Sequence, residues 1–189
     1  MSIDLMSASG HKFGAPKGIG FLYIREGLKI EPLVYGGDQE YGLRGGTSNV
    51  PSIVGMGVAA EISVHRMEDA DKAMKELKEY FIEKISSLVP RVRFNAESDA
   101  HIASNISMTI DRLPGERLLV YLDTKGVQVS MGSSCKARSH ERSHVLRAIG
   151  LTDTQIDSTI RITMSEETTK DDIDYVIDCI SRCVELSVC

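Results

Sequence analysis

The sequence predicts a mixed α/β protein in two unequal parts, and three observations carry that prediction. From residue 69 onward, short β-branched segments alternate with helical patterns, which reads as a complete small α+β unit, a sheet covered by helices. Residues 1–50 supply two or three short strands and two Gly-rich loops, with no helix of their own to cover a sheet. Between them lies a long helical pattern opened by Pro51, a residue tolerated in the first helical turn. The expected division is therefore 1–68 and 69–189.

The elements follow in order. IDLMS (3–7) and GIGFLYIR (18–25) read as strands joined by a Gly-rich turn, and GGDQEYGLRGGTSN (36–49) as a loop. The pattern from Pro51 to Met67 is helical, and Gly55 and Gly57 inside it suggest close packing against a neighbour. A second helical pattern (69–89) places Met74, Leu77, Phe81, Ile85 and Leu88 on one face and stops at Pro90. VRFN (92–95), NISMTID (105–111), VQVS (127–130) and IRITM (160–164) have the β-branched content of strands. Residues 115–126 and 144–150 read as helices, the first ended by Gly126. Thr152 and Gln155 have the spacing of a capping box. After Thr169, the residues Ile173, Val176, Ile177, Ile180 and Val184 mark an amphipathic C-terminal helix.

A net charge of -5 gives no general attraction to nucleic acid or to anionic membranes. No apolar run approaches the ~20 residues that span a bilayer, and the N-terminus carries no secretory signal pattern. A cytoplasmic location is the expectation. Among the four cysteines no C-x-x-C pair occurs, which leaves a zinc or dithiol reading without support and no metal expected. Cys179 and Cys183 lie four apart in the last helix, where buried thiols act as small hydrophobes.

Chemistry concentrates in three places. In SGHKFGAPKGIG (9–20), Ser9 and His11 can donate hydrogen bonds to an anion such as a phosphate. Lys12 suits Schiff-base chemistry if desolvation or neighbouring cations lower its pKa. A solvated surface turn would have the same sequence, and the spacing fits neither a nucleotide P-loop nor a dinucleotide fingerprint. In SMGSSCKARSHERSHVLRAIG (130–150), Cys135 follows small residues and precedes Lys136, Arg138, His140, Arg142 and His144. Such a positive field favours thiolate over thiol, although the same charges suit a solvated loop or an acidic partner. Arg161 is one charge in an apolar strand, placed to clamp a carboxylate bidentately or to pair with Glu166 or Glu167.

Together, SGHKFGAPKGIGFLYIR, GGDQEYGLRGGTSNVPSIVGMG, SMGSSCKARSHERSHVLRAIG and IRITMSEETTKDDIDYVI resemble the cysteine desulfurases of the NifS/IscS-like branch, in order and in approximate spacing. The resemblance implies the aspartate-aminotransferase-like fold, fold type I of the pyridoxal-phosphate enzymes. The chain would hold part of the large domain and the whole small C-terminal domain. It implies that Lys12 forms the Schiff base with pyridoxal 5′-phosphate and moves the substrate's Cα proton, and that Ser9 and His11 bind the cofactor phosphate. Thr47 would reach the phosphate of a neighbouring subunit, and Arg161 would hold the carboxylate of L-cysteine. Cys135 would take the substrate sulfur as a persulfide and pass it to an acceptor such as an iron–sulfur scaffold. The family works as a homodimer, and roughly half of its chain precedes the Schiff-base lysine. That half holds the acid paired with the pyridine nitrogen and the His stacked on the ring, so a complementary N-terminal half is expected. Two other readings are a non-catalytic interaction or dimerisation module and a selenocysteine lyase-type enzyme.

Overall fold

The computed structural model describes residues 2–95, 101–132 and 142–188. The chain forms two compact units, Met1–Met67 and Glu68–Cys189.

In the first unit, β1 (Leu5–Ser9) and β2 (Gly20–Ile24) pair antiparallel, in a register running from Leu5 opposite Ile24 to Ser9 opposite Gly20. A 3-10 turn, Gly10–Phe13, leaves β1 at the end where the two strands are joined. Leu5, Met6, Leu22 and Tyr23 are each between 42% and 50% exposed, so apolar side chains project into solvent from both faces of the ribbon. That is the uncovered sheet the sequence predicts. The loop at 36–49 contains a second 3-10 turn, Gln39–Gly42, and is closed by a bond from the Gly45 N–H to the Val34 carbonyl at 2.9 Å. A Cβ at Gly45 would lie 2.6 Å from the Gly36 Cα, so only glycine lets the two strands of the loop approach this closely.

The two helical patterns at 51–67 and 69–89 are one helix, α1 (Val50–Leu88, 39 residues). No proline falls between Pro51 and Pro90, and the Ala-, Glu- and Lys-rich middle has high helix propensity, so Gly55, Gly57 and Asp69 do not break it. Gly55 does pack closely, its Cβ position lying 3.2 Å from Pro16, whereas Gly57 has nothing within 4 Å.

The second unit has a three-stranded antiparallel sheet in the order β3 (Val92–Phe94), β4 (Asn105–Ile110), β5 (Thr159–Thr163). Its helices are the end of α1, α2 (Gly115–Thr124), α3 (His144–Ala148), α4 (Asp153–Asp157) and α5 (Lys170–Val188). Ile106, Met108 and Ile110 of β4 and Ile160 and Ile162 of β5 enter one core with Phe81, Ile85, Val89, Leu118, Leu122, Ile173, Ile177 and Ile180. Cys179 and Cys183 are buried in the same core as free thiols, and burial pushes the Cys183 thiol up. The α1 face differs from expectation at both ends: Met74 is not part of the core cluster, and Leu88 is 56% exposed with Val89, just past the helix, buried in its place. The segment 127–130 is not a strand, because only Ser130 bridges to β5.

Caps fix the helix starts. Thr152 and Gln155 form the expected capping box, Gln155 Oε1 accepting from the Thr152 N–H at 2.8 Å. At α5, Asp172 Oδ2 accepts from the Thr169 N–H at 2.9 Å and from its hydroxyl at 2.7 Å. These bonds hold the Asp172 carboxyl below the ordinary 3.8. A depressed folded pKa contributes stability that is full above the unfolded value and is lost as pH falls through the folded one. Thermal melting of Asp172→Asn from about pH 5 to about pH 2 is expected to lose part of the acid-limb slope seen in the parent chain. An unchanged slope would show that the cap does not titrate with folding.

Candidate functional site

The turn that carries Ser9, His11 and Lys12 is rigid in its backbone. Gly10 N–H donates to the Ile19 carbonyl at 2.9 Å, and Ala15 N–H donates to the Gly10 carbonyl at 3.1 Å. Gly14 closes the turn at φ 89, a left-handed value that a side chain would strain. Two contacts from α1 back it: the Ser63 hydroxyl donates to the Phe13 carbonyl at 3.1 Å, and Pro16 packs over Gly55. The side chains are the opposite case. Ser9, His11 and Lys12 are all exposed, and none makes a hydrogen bond or ion pair among the described residues. Ser9 occupies the cap position of the turn without using its hydroxyl to cap it. A hydroxyl, an imidazole and a primary amine are thus held within four consecutive positions and left for something else to engage. Thr47 is likewise exposed, beside Ser48, whose hydroxyl donates to Glu40 at 3.4 Å.

Arg161 sits in the second unit, in the middle of β5 and half-buried. The register explains its setting. Asn105, Ser107 and Thr109 of β4 stand opposite Thr163, Arg161 and Thr159 of β5, on the sheet face away from the apolar core. This polar face is knitted by Asn95, which donates to Ser107 at 3.2 Å and Thr109 at 3.0 Å, and by the Thr109–Thr159 hydroxyl pair at 2.7 Å. The Oδ1 of Asn105 is buried and accepts no hydrogen bond among the described residues. On its other edge, Arg161 is locked to the segment leading to Cys135: its N–H donates to the Ser130 carbonyl at 2.7 Å, and the Ser130 N–H donates back at 3.0 Å. Cys135 itself lies outside the described residues, as do Lys136, Arg138 and His140.

One basic residue assigned to the field around Cys135 has another task. Arg142 donates to both oxygens of Asp157, at 2.8 and 2.7 Å, and to Asp153 at 3.2 Å. Arg147 joins the same cluster through Asp153 at 3.0 Å. The guanidinium holds the Asp157 carboxyl below its ordinary range. Arg142 therefore ties the start of this described stretch to α4 through two carboxylates.

Sequence reasoning missed Ser63, Ser107 and Ser130. Their relevance comes from pairings 50, 54 and 31 positions away, to Phe13 and, for both Ser107 and Ser130, to Arg161, and a single serine carries no local signal for them.

Comparison with known proteins gives a consistent result. The family model described as aminotransferase class-V matches residues 1–176. Among curated relatives, the protein named cysteine desulfurase IscS of Dictyoglomus turgidum is 41% identical over 185 residues, covering 98% of this chain and 47% of the relative. The protein of the same name from Methanosarcina thermophila is 39% identical, with 98% and 46% covered. Of the solved structures, a NifS-like protein superposes with a TM-score of 0.87 at 33% identity, over 97% of this chain and 47% of its own. A NifS-like protein from Rickettsia africae gives a TM-score of 0.86 at 28% identity, with 97% and 48% covered. The chain spans about half the length of the curated relatives it matches.

Proposed function

The chain belongs to the aminotransferase class-V family, and from that premise we propose that it carries the lysine, thiol and arginine of a pyridoxal-phosphate-dependent cysteine desulfurase. Its fold is part of the fold type I architecture of the NifS-like proteins it superposes on. The observation that supports the reading most is the turn at Ser9–Gly14, whose backbone is tied at Gly10, Phe13 and Gly14 while its side-chain donors are exposed and unengaged among the described residues. That donor set fits pyridoxal 5′-phosphate: hydroxyl and imidazole donors for a phosphate dianion, and a primary amine for an aldehyde.

When bound, the cofactor supplies an electron sink for the substrate's Cα. The chain's own residues do the rest. Ser9 and His11 would donate to the cofactor's phosphate, and Thr47 would donate to the phosphate in a neighbouring subunit. Lys12 would hold the cofactor through its aldehyde and would carry the proton of the substrate's Cα. Arg161 offers a planar fork to the carboxylate of L-cysteine, with the strand and the Ser130 bridge fixing its backbone. The Cys135 thiolate attacks the substrate sulfur: an S–S bond forms, the C–S bond breaks, and alanine leaves once its carbon is protonated. The persulfide sulfur then passes to an acceptor, for which an iron–sulfur scaffold is the proposed class.

A partner is part of this proposal. The exposed apolar side chains of β1 and β2 suit burial by a second copy or by a complementary N-terminal half, and the same faces would serve a non-catalytic interaction module. The relative named SspA, solved in complex with cysteine, is 35% identical with a TM-score of 0.65, and favours the catalytic reading.

The test is mass analysis of the Cys135 peptide after incubation of the chain with pyridoxal phosphate and L-cysteine, alone and with a complementary N-terminal half. One added sulfur is expected with the parent chain and none with Cys135→Ser, while the cofactor stays bound to Lys12 in both. An unmodified Cys135 peptide in a cofactor-loaded, complemented protein would remove the desulfurase mechanism and leave the interaction module.

A further inference from the structure

The lysines on the second half of α1 have contrasting surroundings. Lys75 pairs with Asp71 at 2.6 Å, and Lys84 pairs with Asp174 at 2.8 Å and lies 4.7 Å over the Tyr80 ring. Both settings stabilise the ammonium form and raise the pKa. Lys78, between them, has no carboxylate partner among the described residues. Its Nζ instead meets the Nε2 of His101 and donates to the Asn105 carbonyl at 3.1 Å. Among the described residues this partly buried amine faces an imidazole and a carbonyl where Lys75 and Lys84 face carboxylates. Burial accordingly lowers its pKa. The side chain is nonetheless not enclosed, so a small reagent can reach the nitrogen.

We propose that Lys78 is an acylation site, a nucleophilic amine with His101 as its base, that accepts an acyl group from a small activated donor, an acyl phosphate or an acyl thioester. This site is independent of the desulfurase reading. The Lys78 nitrogen attacks the acyl carbonyl carbon and a C–N bond forms. The bond from that carbon to phosphate oxygen or to sulfur breaks, and phosphate or thiolate leaves with the electron pair. The nitrogen's surplus proton passes to His101 Nε2 and on to solvent, leaving a neutral amide. No oxidation state changes. His101 is suited to the transfer because an imidazole within hydrogen-bond reach of the amine takes up the proton as the bond forms.

The experiment treats the full chain, without pyridoxal phosphate, with acetyl phosphate in one arm and a small acetyl thioester in the other, at low conversion, and maps each lysine by mass. Lys78 is expected to acetylate severalfold faster than Lys75 and Lys84, whose carboxylate partners hold them as ammonium ions. His101→Ala is expected to bring Lys78 down towards its neighbours while leaving Lys75 and Lys84 unchanged. Selectivity in either arm supports the site and identifies the donor. Equal rates at the three lysines in both arms, or a Lys78 rate indifferent to His101→Ala, would overturn it.

Discussion

Lys12→Ala is expected to abolish fixation of pyridoxal phosphate at the Ser9–Gly14 turn and, in the complemented protein, to lower turnover of L-cysteine by about 10²- to 10⁴-fold, the range attributed to a positioned proton-transfer group. The expectation rests on how cleanly this substitution separates chemistry from folding. The turn is held by the Gly10–Ile19 and Ala15–Gly10 backbone bonds, by the Ser63 hydroxyl on the Phe13 carbonyl, and by Pro16 against Gly55. Lys12 contributes to none of them. Its side chain is exposed and makes no hydrogen bond or ion pair among the described residues, so alanine leaves no buried group unsatisfied. The measurement is borohydride reduction of the cofactor-treated chain followed by peptide mapping. Label is expected at Lys12 in the parent chain and at no position in 9–20 in the variant, with nearby Lys17 as the internal control for non-selective reaction. Label shared equally between Lys12 and Lys17 would mean that the turn does not select its lysine. Lys12→Arg sharpens the result, because it keeps the charge and removes the condensing amine.

The parts of this structure that were legible in the sequence are those set by local chemistry. Alternation of Ile106, Met108 and Ile110 with polar residues marks β4, and the Thr152–Gln155 spacing marks the start of α4. Arg161 was readable as a strand residue for the same reason. What was misread depends on partners distant in the chain. Val127–Ser130 has strand composition, but a strand needs a ladder, and only Ser130 meets β5. Composition cannot supply that information. The two helical patterns separated at Glu68 run on as one helix, since no proline stands between them and the residues there tolerate helix. The pairing of Arg142 with two aspartates of α4 is likewise a spatial fact that its sequence neighbourhood does not carry. At the candidate site, residue types were visible one by one. The backing by Ser63 and the Ser107–Arg161–Ser130 row became visible only with the register.

Phe81→Ala is expected to destabilise the Glu68–Cys189 unit by about 3–5 kcal/mol, the usual cost of removing a buried phenyl ring and leaving its cavity. Phe81 is 0% exposed, and its core partners include the apolar faces of β4, β5, α2 and α5. The loss includes both the transfer energy of the ring and the contacts it makes in this cluster. With domain stabilities of about 5–15 kcal/mol, a loss of this size removes a large part of the unit's stability. Leu88→Ala is the informative contrast. The sequence pattern puts Leu88 on the same face, but the helix phase carries the face through Leu77, Phe81, Ile85 and Val89 at steps of four, leaving Leu88 56% exposed. Its replacement is expected to cost about 0.5 kcal/mol or less. Urea unfolding of the two variants, followed by far-UV circular dichroism, separates the alternatives: comparable losses would return Leu88 to the core and displace Val89. A large loss at Phe81 alone fixes the rotation of α1 against the sheet, and with it the face of β5 that remains for Arg161.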